Sequence, residues 1–217
     1  MSVTHSIRTL AALLPLAGAL ALVGGPQPVA AKALFEAVEV DQSKFVIVSA
    51  PIGDGSRAQL NIYEQRTAAR PCYAVEGGKP AVVNPLLSTF DFTGICNRFI
   101  DGNGYSLRIG DSDLGTVYRL SVVKDAEDTL LMALPTKPGA GPDMVVARCG
   151  GTSNGYLMFV PEPGWKLMRR QFGGRTLGHV YVYRDNWPSD TVASTSNTSS
   201  APASPAPLAP PEPTARP

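Results

Sequence analysis

Ser88-Thr89-Phe90-Asp91-Phe92-Thr93-Gly94-Ile95-Cys96-Asn97-Arg98-Phe99-Ile100-Asp101-Gly102-Asn103-Gly104-Tyr105-Ser106 carries the densest local signal in the chain: an aromatic run, a cysteine, then tight-turn residues. Phe90, Phe92 and Gly94 alternate with Asp91, Thr93 and Ile95, the period of two expected of a strand with two distinct faces. Asn103-Gly104 suits a hairpin turn of type I′, whose two central residues both need positive φ. The return strand would run from Tyr105 to Ile109. Tyr105, Leu107 and Ile109 then share one face, and Ser106 and Arg108 the other.

The same pattern extends in both directions. Phe45 to Ala50 is β-branched and apolar on both faces, so it reads as a central strand covered on two sides. Asp54-Gly55 tips a turn, and Ala58 to Gln65 pairs back on that strand. Leu34 to Val38 is expected to make one helical turn, and Cys72 to Val75 a short strand. Further on, Thr116–Val123, Thr129–Leu134, Met144–Cys149 and Tyr156–Val160 read as strands. Trp165–Phe172 and Leu177–Tyr183 form a final hairpin around Gly173-Gly174. The chain holds 21 glycines and 20 prolines, which favours turns over long helices. About ten short strands with no amphipathic helix between them predict an all-β domain, an antiparallel sandwich or small barrel.

The two ends differ from this domain. Residues 1–31 have one basic residue, Arg8, an apolar Leu10–Val23 run, and small residues at Val29-Ala30-Ala31. That is the layout of a secretory signal peptide, cleaved after Ala31 or Ala33, and fourteen apolar residues are too few to span a bilayer. Membrane contact is therefore expected only before cleavage, with a secreted, periplasmic or cell-surface destination. Residues 189–217 are almost wholly Ser, Thr, Ala and Pro, the composition of a disordered tail. The domain is thus expected over 32–188. Losing Arg8 leaves 18 basic and 18 acidic residues, so the mature chain is neutral. Neutrality excludes the long-range electrostatic attraction that nucleic-acid binding needs.

Three cysteines, Cys72, Cys96 and Cys149, allow one bridge and one thiol in an exported protein. Cys72–Cys96 is the preferred pair, closing a short loop; Cys96–Cys149 and Cys72–Cys149 stay open as alternatives. No cofactor and no metal site is expected, since the mature chain has one histidine and no Cys-x-x-Cys. Asp101-x-Asn103 and Asp111-x-Asp113 resemble the start of a calcium loop, but neither has the glutamate at its twelfth position. Gly151-Thr152-Ser153-Asn154-Gly155 matches a nucleophile-elbow pattern in form, yet it lies between two short strands with no helix after it, so it reads as a turn. Cys96 with His179 is a minimal thiol–imidazole pair, and the mid-strand position of Cys96 favours a disulfide instead.

Aromatic residues offer a different route to function. Tyr105, Trp165, Tyr181 and Trp187 lie on strands or at strand ends and could stack on a cell-wall glycan or peptidoglycan. Arg169-Arg170 could line a polar patch beside Trp165. Asp91, between two phenylalanines, must face water or find a partner, and His179 is the other polar residue of interest.

Val40-Asp41-Gln42-Ser43-Lys44-Phe45, Ala50-Pro51-Ile52-Gly53, Phe90-Asp91-Phe92-Thr93-Gly94-Ile95-Cys96 and Asn103-Gly104-Tyr105-Ser106 form a set with Asp113-Leu114-Gly115, Pro163-Gly164-Trp165 and Leu177-Gly178-His179-Val180-Tyr181. Over Phe35 to Trp187 these motifs resemble a family of exported cyanobacterial proteins classed as a domain of unknown function. The resemblance implies an exported, cell-envelope-associated protein and brings no reaction or catalytic residue. It also implies that Cys72 and Cys96 pair, Cys149 being a departure from the family pattern. The expectation is a non-enzymatic binding or structural module, with a cell-wall or glycan hydrolase using His179 and a nearby carboxylate or nucleophile as the alternative.

Overall fold

Val46 and Val48 point to one side of their strand and Ile47 to the other, and both sides are buried. This strand is the middle of the protein, as its two-sided apolar run predicts. The computed structural model describes residues 34–188. The signal peptide expected over 1–31 and the tail expected over 189–217 lie outside the described residues.

Fourteen strands occur among the described residues, in the order β1 (Glu36–Glu39), β2 (Phe45–Ile52), β3 (Arg57–Gln65), β4 (Ala74–Glu76), β5 (Val82–Asn84), β6 (Cys96–Phe99), β7 (Tyr105–Ile109), β8 (Ser112–Asp113), β9 (Tyr118–Lys124), β10 (Thr129–Pro135), β11 (Met144–Arg148), β12 (Leu157–Pro161), β13 (Lys166–Phe172) and β14 (Arg175–Arg184). The only helical pieces described are two short 3₁₀ turns, Gln42–Lys44 and Leu86–Thr89. The fold is all-β. One sheet has the order β1-β13-β14-β7-β8, and the other β6-β3-β2-β12-β11-β10-β9, with β5 paired to β12 and β4 to β5.

The main core lies between the inner faces of these sheets. Ile47, Leu60, Ile62 and Phe99 from the larger sheet are in one cluster with Leu107, Ile109, Leu167, Val180 and Val182 from the smaller. A second cluster covers the other face of β2: Val46, Val48, Tyr63, Val83 and Leu87, joined by Cys72 and Cys96. Those two cysteines form a disulfide with a Cα–Cα distance of 5.9 Å. Cys149 is the buried thiol left over, and burial pushes its pKa up to about 12. At neutral pH it is a protonated, inert group.

Four local expectations are corrected. Phe90 to Ile95 is not a strand: it is an irregular turn, and β6 begins only at Cys96. Gly94 sits at φ +76°, and the Asp91 carboxylate accepts from the Thr93 amide at 3.0 Å, so the backbone curls where simple alternation suggests extension. Phe90 and Phe92 still pack on the second cluster. Asn103-Gly104 is not a type I′ turn, because no non-glycine residue described has a positive φ. The Asp101 carboxylate captures the amides of Asn103 at 2.9 Å and Gly104 at 3.2 Å. The Asp101 carbonyl takes Gly104 and Tyr105, closing a tight turn of ordinary handedness. β6 and β7 therefore leave this turn into different sheets. Leu34–Val38 makes no helical turn; its second half is β1, zipped to β13 from Glu36↔Gln171 to Glu39↔Met168. Finally, the pairing is not wholly antiparallel: β14 runs parallel to β7.

The turn at Gly55 bears on packing. Gly55 has φ +81°, and a Cβ there would come within 2.7 Å of the Asn154 Cβ and closer still to the Asn154 carbonyl. Lys124 Nζ clamps the same contact, donating to the carbonyls of Gly55 at 2.6 Å and Ser153 at 2.7 Å. Gly55→Ala is expected to cost about 2–4 kcal/mol, from left-handed strain of about 1–2 kcal/mol plus overpacking. Urea unfolding measures it. A cost under about 1 kcal/mol would mean the β2–β3 turn yields freely, contrary to this packing.

Candidate functional site

The smaller sheet alternates cleanly. Leu107 and Ile109 of β7, with Val180 and Val182 of β14, enter the core. Ser106 and Arg108, with His179 and Tyr181, must then point to its outer face. The parallel register pairs Tyr181 with Ser106 and Val180 with Tyr105, which brings His179 diagonally across from Ser106. Arg170 arrives from β13. Asp113 comes from β8, the edge strand that turns back on Arg108.

These side chains form one hydrogen-bonded constellation. The Ser106 hydroxyl lies 2.9 Å from His179 Nε2, and His179 Nδ1 lies 2.8 Å from the Asn103 carbonyl oxygen. A carbonyl only accepts, so Nδ1 carries the proton, Nε2 of the neutral ring is the acceptor, and the serine O–H donates to it. Arg170 donates through Nε to the Tyr181 hydroxyl at 2.7 Å and through Nη2 to Asp113 Oδ2 at 2.9 Å and to Ser106 Oγ at 3.5 Å. Tyr181 donates to the same Asp113 oxygen at 2.8 Å. Arg170 and Arg108 both lie over the Tyr181 ring, 4.8 and 5.1 Å from its centroid.

Burial, above all, lowers the His179 pKa from its usual range; the bond to the Asn103 carbonyl opposes this and the Arg170 charge adds to it. The ring is therefore neutral at pH 7. Burial first, and the hydrogen bond to Asp113 next, push the Tyr181 phenol up, so it stays protonated and donating. The group opens onto a cavity of about 730 Å³ lined also by Tyr105, Tyr118 and Arg119, within the size range of ligand sites. Gly115 matters to access: a Cβ there would sit 3.0 Å from Ser106 Cβ and 3.4 Å from its Oγ.

The residues singled out by sequence scatter. His179 and Tyr105 line this cavity, and Tyr105 is half-buried. Trp165 is only 6% exposed and Tyr181 is wholly buried, so neither offers a ring face to solvent. Trp187 is 43% exposed and leans on Tyr118 with ring centroids 6.1 Å apart. The four rings do not make one flat stacking platform. Asp91 is at the surface, where its turn hydrogen bonds to Thr93 hold its pKa below the usual carboxylate value. Arg169 and Arg170 separate to opposite faces of β13, and Arg169 turns inward to Glu64 at 2.7 Å. Cys96 is tied up in the disulfide, so it forms no nucleophilic pair with His179. Ser153 merely accepts from the Gly155 amide in a loop. Among the described residues, no cluster of three or more His, Cys, Asp or Glu side chains is placed to hold a metal ion.

Ser106, Asp113 and Arg170 are the members that motif reasoning underrated. Ser106 on β7 and Arg170 on β13 have one signal, a polar residue on the face of a strand opposite core residues, while Asp113 on the exposed two-residue β8 has none.

The chain belongs to the family described as "Protein of unknown function (DUF3747)", whose family model matches residues 10–187. No curated protein and no solved structure matches it.

Proposed function

We propose that this member of the family is an exported cell-envelope protein that holds a hydroxyl-rich ligand, a cell-wall glycan or peptidoglycan fragment, in the cavity around Ser106, Asp113, Arg170 and His179. One observation carries the reading: neutral and charged donors and acceptors converge in one cavity of about 730 Å³ beside the half-buried ring of Tyr105. A sugar offers hydroxyls that both donate and accept, together with apolar ring faces. A carboxylate fixed by an arginine, next to an aromatic ring, complements both. The Cys72–Cys96 bridge suits an oxidising compartment, and the first 31 residues have the composition of an export signal.

Retention of the full chain on purified peptidoglycan and on insoluble polysaccharides, followed by calorimetric titration with soluble fragments, tests the proposal. Arg170→Ala is expected to weaken binding about 10–100-fold, the equivalent of one charge-assisted hydrogen bond and the loosening of Asp113, with circular dichroism confirming that the variant is folded. A wild-type chain retained by none of these polymers would overturn the glycan reading.

A further inference from the structure

We infer that Ser106 and His179 are a nucleophile and its general base, and that the cavity transfers the acyl group of an ester made by a small carboxylic acid with a hydroxyl-bearing, sugar-like alcohol. The inference deepens the proposed function, because it rests on the same cavity being a ligand site.

The geometry supplies each part. The 2.9 Å contact between Ser106 Oγ and His179 Nε2 is within reach for proton transfer. The Asn103 carbonyl, 2.8 Å from Nδ1, fixes the tautomer that leaves Nε2 free to accept. Ser106 is 9% and His179 7% exposed, so the pair is shielded yet lies in the wall of the cavity. Arg170 Nη2 stands 3.5 Å from the serine oxygen, locked in place by Asp113 and Tyr181. A fixed cation there faces the negative charge that an attacked carbonyl develops. Gly115 is the fourth part: a side chain at that position would press on the nucleophile.

The chemistry balances without a cofactor. Ser106 Oγ attacks the ester carbonyl carbon, its proton passes to His179 Nε2, and the carbonyl electron pair moves onto oxygen beside Arg170. Collapse breaks the bond to the alcohol oxygen, which leaves with the proton from the imidazolium. Water then gives a proton to His179 and its oxygen to the acyl carbon, releasing the carboxylic acid and restoring Ser106. The orienting group on Nδ1 is a neutral carbonyl rather than a carboxylate, so the imidazolium is stabilised less than in a full triad. That favours esters, with their better leaving group, over amides.

The test uses the full chain and an alkyl fluorophosphonate, with intact mass and peptide mapping. The expected result is a single adduct on Ser106. His179→Gln should slow its formation at least 100-fold and Gly115→Ala at least 10-fold, with melting curves showing both folded. No adduct on the wild type, an adduct on another residue, or a folded His179→Gln variant labelled at the wild-type rate would overturn the inference. If the His179 variant does not fold, the wild-type labelling rate against pH decides. Arg170 from β13, Asp113 from β8 and Tyr181 from its own strand face the ring, and the Arg169 charge acts on it from the inner face of β13. The rate should rise to a plateau with a midpoint below the ordinary histidine value. A rate that climbs with hydroxide through pH 9 without a plateau would count against the pair. The two proposals separate cleanly: labelling without glycan retention keeps the nucleophile and discards the glycan, and retention without labelling does the reverse.

Discussion

Replacing both Cys72 and Cys96 by alanine is expected to remove about 3.5 kcal/mol of stability, because the bridge closes a loop of 24 residues' separation that the unfolded chain would otherwise explore. For a domain of this size that is a fall in melting midpoint of about 10 °C. The loss is concentrated on one layer. The segment between the cysteines carries Val83 and Leu87, and with Phe90, Phe92 and Ile95 it covers Val46 and Val48. It has only the short strands β4 and β5 and one 3₁₀ turn of its own. Without the bridge this layer should open first, seen as early loss of amide protection in Ala74–Asn84, while β13 and β14 keep theirs. An unchanged midpoint would mean that packing alone holds the layer. Thiol titration of the denatured, unreduced protein should find one free thiol, Cys149; three would contradict the bridge.

Arg169→Met is expected to cost about 3–5 kcal/mol. Arg169 Nη2 meets Glu64 Oε1 at 2.7 Å, with side-chain exposures of 9% and 15%, and Asn97 donates to the other carboxylate oxygen at 2.6 Å. The guanidinium also lies over the rings of Phe99 and Phe45, at 5.3 and 5.6 Å. The pair is a polar rivet through the core, from β3 of the larger sheet to β13 of the smaller. Methionine keeps much of the volume and leaves Glu64 as a half-satisfied buried charge, which is the costly part. Adding Glu64→Gln should recover part of the loss, so that the double variant is more stable than the sum of the single changes predicts. A double-mutant cycle by urea unfolding measures this coupling. Strict additivity, or an Arg169→Met cost under about 1 kcal/mol, would show that the pair is solvated.

Much of the architecture is legible in the chain because it is local. The Phe45–Ala50 run announces a strand covered on both faces, and Gly173-Gly174 between two apolar-alternating segments announces the β13–β14 hairpin. Phe90–Ile95 misleads because its alternation is real but serves an irregular turn. Asp91 binds the Thr93 amide and Gly94 takes a positive φ, and these two local choices outweigh the pattern. Asn103-Gly104 misleads in the same way, since the Asp101 carboxylate takes the amides first. The site was half visible. His179 stands out as the sole histidine after residue 31, and Ser106 is plainly on the polar face of its strand. What joins them is the parallel pairing of β7 with β14, a long-range choice with no turn or motif to signal it. For the same reason Arg170 and Asp113, unremarkable in their own segments, become partners only in the sheet.

The order of strands in the smaller sheet also governs when this protein can take shape. Among the described residues β1 is made first, yet its partner β13 is among the last strands to be made, and β7 waits for β14. A chain emerging from the ribosome, amino end leading, therefore cannot finish this sheet until nearly the whole domain has been synthesised. Such non-local pairing slows folding toward the millisecond-to-second range. During that interval the β2–β3 hairpin can already pair, while the outer strands of the smaller sheet wait with open edges.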